Sequence, residues 1–297
     1  MKVLRARTLG FCPGVRRAVE AAEAAAARAS ESGGRGFVLG QIVHNPRVSA
    51  RLTGLGMDRL DEPLDLAAGE LTGAVVVIRS HGAAPEVVAG LRAAGADIVD
   101  ATCPRVAANQ KAAASYAARG YLVVIAGDKG HGETLGVAGH APGAIVVSDP
   151  DEALAVPADR PVALIAQTTI SESEYAAIRS ALLSRRPDLA DSGGVCGASR
   201  ERQAAIEDFR GLVDAVVVVG GMNSANTRRL AELARSLGVP AWHVENAAGI
   251  PPELGSYASV GLSAGASTPD EDIDEAEARL LELGLSRAGS SRELTGD

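Results

Sequence analysis

Aromatic residues are scarce: Phe, Trp and Tyr together make up 3% of 297 residues. The core must therefore be built from Ala, Val, Leu and Ile. No apolar run approaches the roughly 18 residues of a membrane span. The start, Met1-Lys-Val-Leu-Arg-Ala-Arg7, has no apolar signal segment. A cytoplasmic protein with no membrane partner is expected. Cysteine is limited to three residues, an odd number that argues against a disulfide framework in a reducing compartment. Lys and Arg form no cluster, and the formal net charge is −8. Nucleic acid is thus an unsuitable partner. An anionic ligand has to be held locally, by backbone N–H groups at helix N-termini and by His, Ser and Asn side chains.

What is present is an alternating pattern. Short apolar runs such as Tyr121–Ala126 and Val162–Ile165 suit strands, and Ala74–Ile78 and Ala215–Val219 suit strands covered on both faces. Ala-rich or amphipathic runs follow many of them. Asn45 and Ser171 are placed to cap helices. This alternation predicts an α/β fold with mainly parallel sheets, arranged as three pseudo-repeated lobes. Their expected bounds are 10–97, 98–193 and 194–285. The strand of residues 1–9 is expected to join the third lobe, and residues 286–297 to form a disordered tail.

The three cysteines fall one per lobe, 91 and 93 residues apart. Cys12 lies in Gly10-Phe-Cys-Pro-Gly-Val15, Cys103 in Asp100-Ala-Thr-Cys-Pro-Arg105, and Cys196 in Gly194-Val-Cys-Gly-Ala-Ser199. Any one of them alone reads as a small buried hydrophobe. Jointly they stand at strand-to-helix junctions beside Gly or Pro, where a helix N-terminus favours thiolate. Three thiolates without a fourth ligand do not suit a closed structural zinc. They suit an iron–sulfur cluster with one iron left open for Lewis-acid and electron-transfer chemistry.

Ligands of open α/β sheets bind beyond the C-terminal ends of strands. His44, His81, His131, Glu133, Thr168, Ser224, Asn226 and Ser267 all follow such strand ends. A histidine there donates to phosphate or shuttles protons, or is simply a satisfied turn residue. Glu133 reads as a general acid or as a solvated loop carboxylate. Ser224-Ala-Asn226 reads as an anion cradle, as an N-cap, or as both.

These stretches resemble the LytB, or hydroxymethylbutenyl diphosphate reductase, family. The resemblance rests on Gly10–Val15, Val43-His-Asn45, Arg79-Ser-His-Gly82, Asp100–Pro104, Gly130-His-Gly-Glu133, Gln167-Thr-Thr169, Val195–Ala198 with Arg202-Gln203, Asn223–Asn226 and Ala264–Ser267 with Pro269-Asp270. It implies three lobes around a central [4Fe–4S] cluster held by Cys12, Cys103 and Cys196. It implies diphosphate binding by His44, His81, His131, Ser224, Ala225 through its backbone, Asn226 and Ser267. It implies that His131 assists in holding the diphosphate and, with Glu133 and Thr168, belongs to the catalytic set, in which Glu133 delivers the proton and Thr168 orients the substrate hydroxyl and Glu133. The implied reaction is reductive dehydroxylation to isopentenyl and dimethylallyl diphosphate, the last step of the methylerythritol phosphate route to isoprenoids. The substrate hydroxyl would sit on the open iron, and ferredoxin or flavodoxin would supply electrons.

Three positions depart from the family's usual pattern. Gly132 stands where Pro is common, Ala225 where Ser is common, and Arg105 where a large apolar residue is common. Other readings stay open from the sequence: an iron–sulfur paralogue acting on a different substrate, a non-catalytic cluster sensor or electron carrier, and a zinc protein.

Overall fold

Runs of Val, Ile, Leu and Ala form the strands, and the Ala-rich segments form the helices between them. The computed structural model describes residues 1–157 and 159–293. In chain order the elements begin with β1 (Lys2–Arg5), α1 (Pro13–Glu31), β2 (Gly36–Leu39), α2 (Pro46–Gly54), β3 (Met57–Leu60), β4 (Val75–Ile78), α3 (Pro85–Ala93) and β5 (Asp97–Asp100). Then follow α4 (Pro104–Ala118), β6 (Leu122–Ala126), α5 (Gly132–Ala138), β7 (Ile145–Val147), α6 (Pro150–Leu154), β8 (Val162–Ala166), α7 (Glu172–Arg185) and β9 (Ala190–Asp191). The chain continues with α8 (Gly197–Glu207), β10 (Ala215–Val219), α9 (Ala225–Ser236), β11 (Ala241–Val244), β12 (Ser259–Ala264) and α10 (Asp270–Glu293).

These strands make three four-stranded sheets, all with parallel pairing. Their orders are β3-β2-β4-β5, β7-β6-β8-β9 and β11-β10-β12-β1. Each sheet therefore has the order second, first, third, fourth, with the N-terminal strand β1 serving as fourth strand of the last one. In that order the direction of winding reverses between the first and third strands. That switch point is where α/β sheets bind ligands. His44 follows β2 and His81 follows β4. His131 follows β6 and Thr168 follows β8. Ser224 follows β10 and Ser267 follows β12. The cysteines have a different and equally regular place. Cys103, Cys196 and Cys12 each follow the fourth strand of a sheet.

The contacts group the chain into two compact units, Pro13–Cys196 and Met1–Cys12 with the chain from Gly197 onward. In the first unit, α1 lies on β2 and β4. It does so through Ala18, Ala22, Ala25, Ala26 and Ala29, whose small side chains let helix and sheet approach closely. The second sheet of that unit is covered on both faces. One core contains Leu122, Val124, Leu164, Ile178 and Leu182, and the other Val123, Ile125, Val137 and Ile165. In the second unit Val217, Val219 and Leu262 face one core, and Val216, Val218 and Phe209 the other. Scarce aromatics are thus replaced by many fully buried branched aliphatics, each worth at most about 1.5–3 kcal/mol.

Several local expectations are corrected. The expected lobe boundary at 97/98 falls inside β5. Its register with β4, Val76↔Ile98 and Val77↔Val99, keeps it in the first sheet, so a boundary at 97/98 would cut through a strand. Residues 127–134 are not all loop: α5 begins at Gly132. The polar segment 286–293 continues α10, because Gly284 weakens a helix by about 1 kcal/mol without ending it. Residues 294–297 of the expected tail lie outside the described residues. Asn45 and Ser171 cap as expected: Asn45 Oδ1 accepts from Val48 N at 3.0 Å, and Ser171 forms a capping box with Glu174.

Candidate functional site

In the unit of residues 13–196, the switch points of its two sheets bring three histidines together. The His44 and His81 rings stack with centroids 4.7 Å apart. His131 stands edge-on to both, at 5.5 and 5.1 Å. One nitrogen of each lies within 4.8 Å of the other two, a spacing that suits a divalent cation. The hydrogen bonding argues for an anion instead. Glu133 N donates to His131 Nδ1 at 3.1 Å, so the neutral ring carries its proton on Nε2. His131 therefore presents a donor and not a lone pair.

Burial sets the charge of this cluster. It pushes His81 well below the ordinary histidine range, with His44, His131 and Arg79 adding to the effect. His44 is lowered by burial first, then by Arg79 and Arg59. Beside them is a cavity of about 270 Å³, lined by His44, His81, Arg59, Arg79, Asp61 and Glu62 among others. This lining adds guanidiniums to the His, Ser and Asn side chains and helix N-termini expected to meet an anion. Two guanidiniums face the cavity, paired as Arg59–Asp61 at 2.6 Å and Arg79–Glu62 at 2.7 Å. Their sequence signal was faint: Arg79 lies two residues before His81 at a strand end, and Arg59 lies in an edge strand without apolar patterning.

Glu133 is not a solvated loop carboxylate, being 1% exposed. Thr168 N donates to its Oε1 at 2.7 Å, and Thr168 Oγ1 donates to its Oε2 at 2.7 Å. The Glu133 loop is fixed from below. Thr134 Oγ1 donates to the Asp128 and His131 carbonyls, and Asp128 N donates to Gln167 Oε1 at 2.7 Å. Glu133, in the first turn of α5 and two residues along the chain from His131, thus faces Thr168, beyond β8.

Cys103 occupies the N-cap position of α4. Its N–H donates to the Ser80 carbonyl at 3.0 Å, and Ser80 Oγ donates to the Ile42 carbonyl at 2.8 Å. Ser80 therefore ties the cysteine loop to the loops carrying His81 and His44. Arg17 Nη1 holds the Thr102 carbonyl at 3.0 Å. Cys196 ends this unit. The segment before it is anchored by Asp191, which accepts from Gly193 N at 2.9 Å and from Arg179 and Tyr175.

In the other unit, Cys12 N donates to the Ala266 carbonyl at 3.1 Å, beside Ser267. Arg202, 3% exposed, donates to the Gly10 carbonyl at 2.7 Å and the Ala198 carbonyl at 2.8 Å. Ser224 caps α9, accepting from Thr227 N at 3.3 Å. Ala225 and Asn226 are buried in its first turn, and Ser267 is 7% exposed. Asn226 Nδ2 is buried with no partner among the described residues, which is a donor available to an anion. Arg105, the departure from the family pattern in α4, is exposed and places no charge in the core.

None of the three cysteines is in a disulfide, and all are partly buried. Each directly precedes a helix: Cys12 precedes α1, Cys103 α4 and Cys196 α8. Each is thereby a candidate thiolate ligand of iron.

The family model described as LytB protein matches residues 3–281. A 4-hydroxy-3-methylbut-2-enyl diphosphate reductase of Treponema denticola is 43% identical over 289 residues, covering 95% of this chain and all of that protein. One of the same name from an Anaeromyxobacter species is 41% identical, covering 98% of this chain and all of that protein. A solved structure of (E)-4-hydroxy-3-methyl-but-2-enyl diphosphate reductase, the terminal enzyme of the non-mevalonate pathway, is 34% identical. It has a TM-score of 0.65, covering 95% of this chain and all of that one. The Plasmodium falciparum reductase structure, at 24% identity, shares the fold with a TM-score of 0.86 over 93% of this chain and 87% of that one.

Proposed function

Because the chain belongs to the LytB family, we propose that it is a 4-hydroxy-3-methylbut-2-enyl diphosphate reductase, an oxidoreductase of the non-mevalonate isoprenoid pathway. The substrate gains two electrons and two protons, loses its allylic hydroxyl as water, and yields isopentenyl and dimethylallyl diphosphate. The observation that carries the reading is the buried Glu133 closed on Thr168, two residues along the chain from His131 of the histidine cluster.

Each residue has a separate task. His44, His81 and His131 donate to the diphosphate from the first unit. Ser224, the Ala225 backbone N–H, Asn226 and Ser267 form the donor set of the second, at the start of α9 and after β12. Ala225 lacks the hydroxyl that the family commonly has there, a loss on the order of 1 kcal/mol. Glu133 delivers the proton that turns the leaving hydroxyl into water, and Thr168 aligns that hydroxyl with the carboxyl group. Cys12, Cys103 and Cys196 would hold a [4Fe–4S] cluster, which when bound supplies the electrons and a Lewis-acidic iron. A ferredoxin or flavodoxin would recharge it. The place of work is the cytoplasm, where thiols stay reduced. Among the described residues no helix is long and apolar enough to cross a membrane.

The test is turnover. Anaerobically reconstituted, reduced protein is incubated with 4-hydroxy-3-methylbut-2-enyl diphosphate, and both isomeric products are expected. Absence of product, where an authentic reductase turns over under the same conditions, would sink the reading.

A further inference from the structure

The cavity beside the histidines holds a cation for which the reaction above has no task. Arg79 is the first residue beyond β4, and its side chain is 14% exposed. Its guanidinium lies in a slot between two glycines. A Cβ on Gly40 would stand 2.4 Å from Nη1, and one on Gly132 would stand 3.2 Å from Nε and Nη2. Gly40 has φ +66°, a conformation that side chains rarely adopt. Gly132 is the position where the family commonly carries Pro. The absent side chains at 40 and 132 are what let the planar group lie flat against backbone.

Glu62 takes Nη2 at 2.7 Å. The Nε atom is out of solvent and has no partner among the described residues. A guanidinium held in this way is half spent: one nitrogen is paired, and one donor of the fork is unused. Arg59 lines the same cavity and is paired with Asp61. The net charge of these four groups is zero, so the cavity holds cations without excess charge until a ligand enters.

We propose that Arg79 is a binding residue for the terminal phosphate of the diphosphate, and that it sets the preference for diphosphate over monophosphate. The inference rests on the diphosphate reading above for its ligand. The three histidines supply hydrogen bonds through their ring N–H groups. Arg79 supplies the fixed charge and a planar donor edge, which matches phosphate oxygens in a way a lysine ammonium does not. A monophosphate lacks the second anionic group that would reach it.

The test uses reconstituted holoprotein and calorimetric titration with inorganic pyrophosphate and, separately, orthophosphate. Arg79→Met is expected to weaken pyrophosphate about tenfold to a hundredfold, the range for a charge-assisted hydrogen bond, with a smaller change for orthophosphate. Arg79→Lys should fall between variant and parent. Arg79→Met leaves Glu62 without its partner, so Arg79→Met/Glu62→Gln is measured alongside and should show the same loss of pyrophosphate affinity with the parent's thermal midpoint. Pyrophosphate binding to the double variant as tight as to the parent would overturn the proposal. So would a parent that binds the two anions equally. A parent that binds pyrophosphate through Arg79 yet forms no isoprenoid diphosphate would sink the reductase reading and leave this one standing.

Discussion

Both carboxylate oxygens of Glu133 are closed by one residue. Thr168 gives its backbone N–H to Oε1 and its hydroxyl to Oε2, each at 2.7 Å. A buried carboxyl group is thereby fixed in rotation as well as position, as the proposed proton delivery to a single substrate oxygen requires.

Glu133→Gln keeps the shape of the side chain and removes the proton. Turnover should fall by about a hundredfold to ten-thousandfold, the usual contribution of a general acid. Iron content should be unchanged. Thr168→Val leaves the N–H bond and removes the hydroxyl, so its loss should be smaller. A Glu133→Gln variant that turns over like the parent would remove Glu133 from the reaction and favour an electron carrier.

Arg202 is a buried strut in the unit that carries Cys12. It joins the Gly10 carbonyl to the first turn of α8. Arg202→Met strands the Gly10 carbonyl and should cost about 2–3 kcal/mol in urea unfolding. Iron should also leave the variant faster on chelation, since Gly10 stands two residues before Cys12. Unchanged stability would show that the strut carries no weight.

Stability should depend on the histidine cluster below neutral pH. Burial holds His81 well below its ordinary value of 6.5, and lowers His44 in the same direction. The unfolded chain therefore takes up protons first as pH falls. Stability from this source is complete above about pH 6.5 and declines below it, toward the lowered folded values. Urea midpoints between pH 8 and 5.5 should show the decline, and His81→Gln should make it shallower. A parent whose stability rises on acidification through this range contradicts the assignment.

Much of this architecture is readable in the amino-acid order. The apolar runs at Val75–Ile78 and Ala215–Val219 mark buried strands, and the polar residues after them mark switch points. What escapes is what depends on partners far along the chain. β3 is hidden because Asp58 and Arg59 interrupt its apolar pattern, as an edge strand permits. α5 is hidden because Gly130 and Gly132 read as loop, although His131 caps it. The pairing of β5 with β4 decides that Cys103 closes the first sheet, and no local signal gives that pairing. The burial of Glu133 and the slot around Arg79 likewise arise only when strand ends meet.

Ser80 is the joint between the cysteine and the histidines. Its carbonyl accepts from Cys103 N, and its hydroxyl donates to the Ile42 carbonyl, two residues before His44. Ser80→Ala removes one buried bond, worth about 1 kcal/mol, and should raise KM more than it lowers kcat. A purely structural loss would lower the amount of folded protein and leave KM as it was.

The measurement that bears most directly on the whole account is iron, sulfide and turnover determined on the same anaerobic sample, for the parent and for Cys103→Ala. The parent should contain about four iron and four sulfide per chain, as a [4Fe–4S] cluster requires, and should reduce 4-hydroxy-3-methylbut-2-enyl diphosphate. Cys103→Ala should lose cluster and turnover together. A Cys103→Ala protein that keeps both would contradict the claim that Cys103 is a ligand of the cluster.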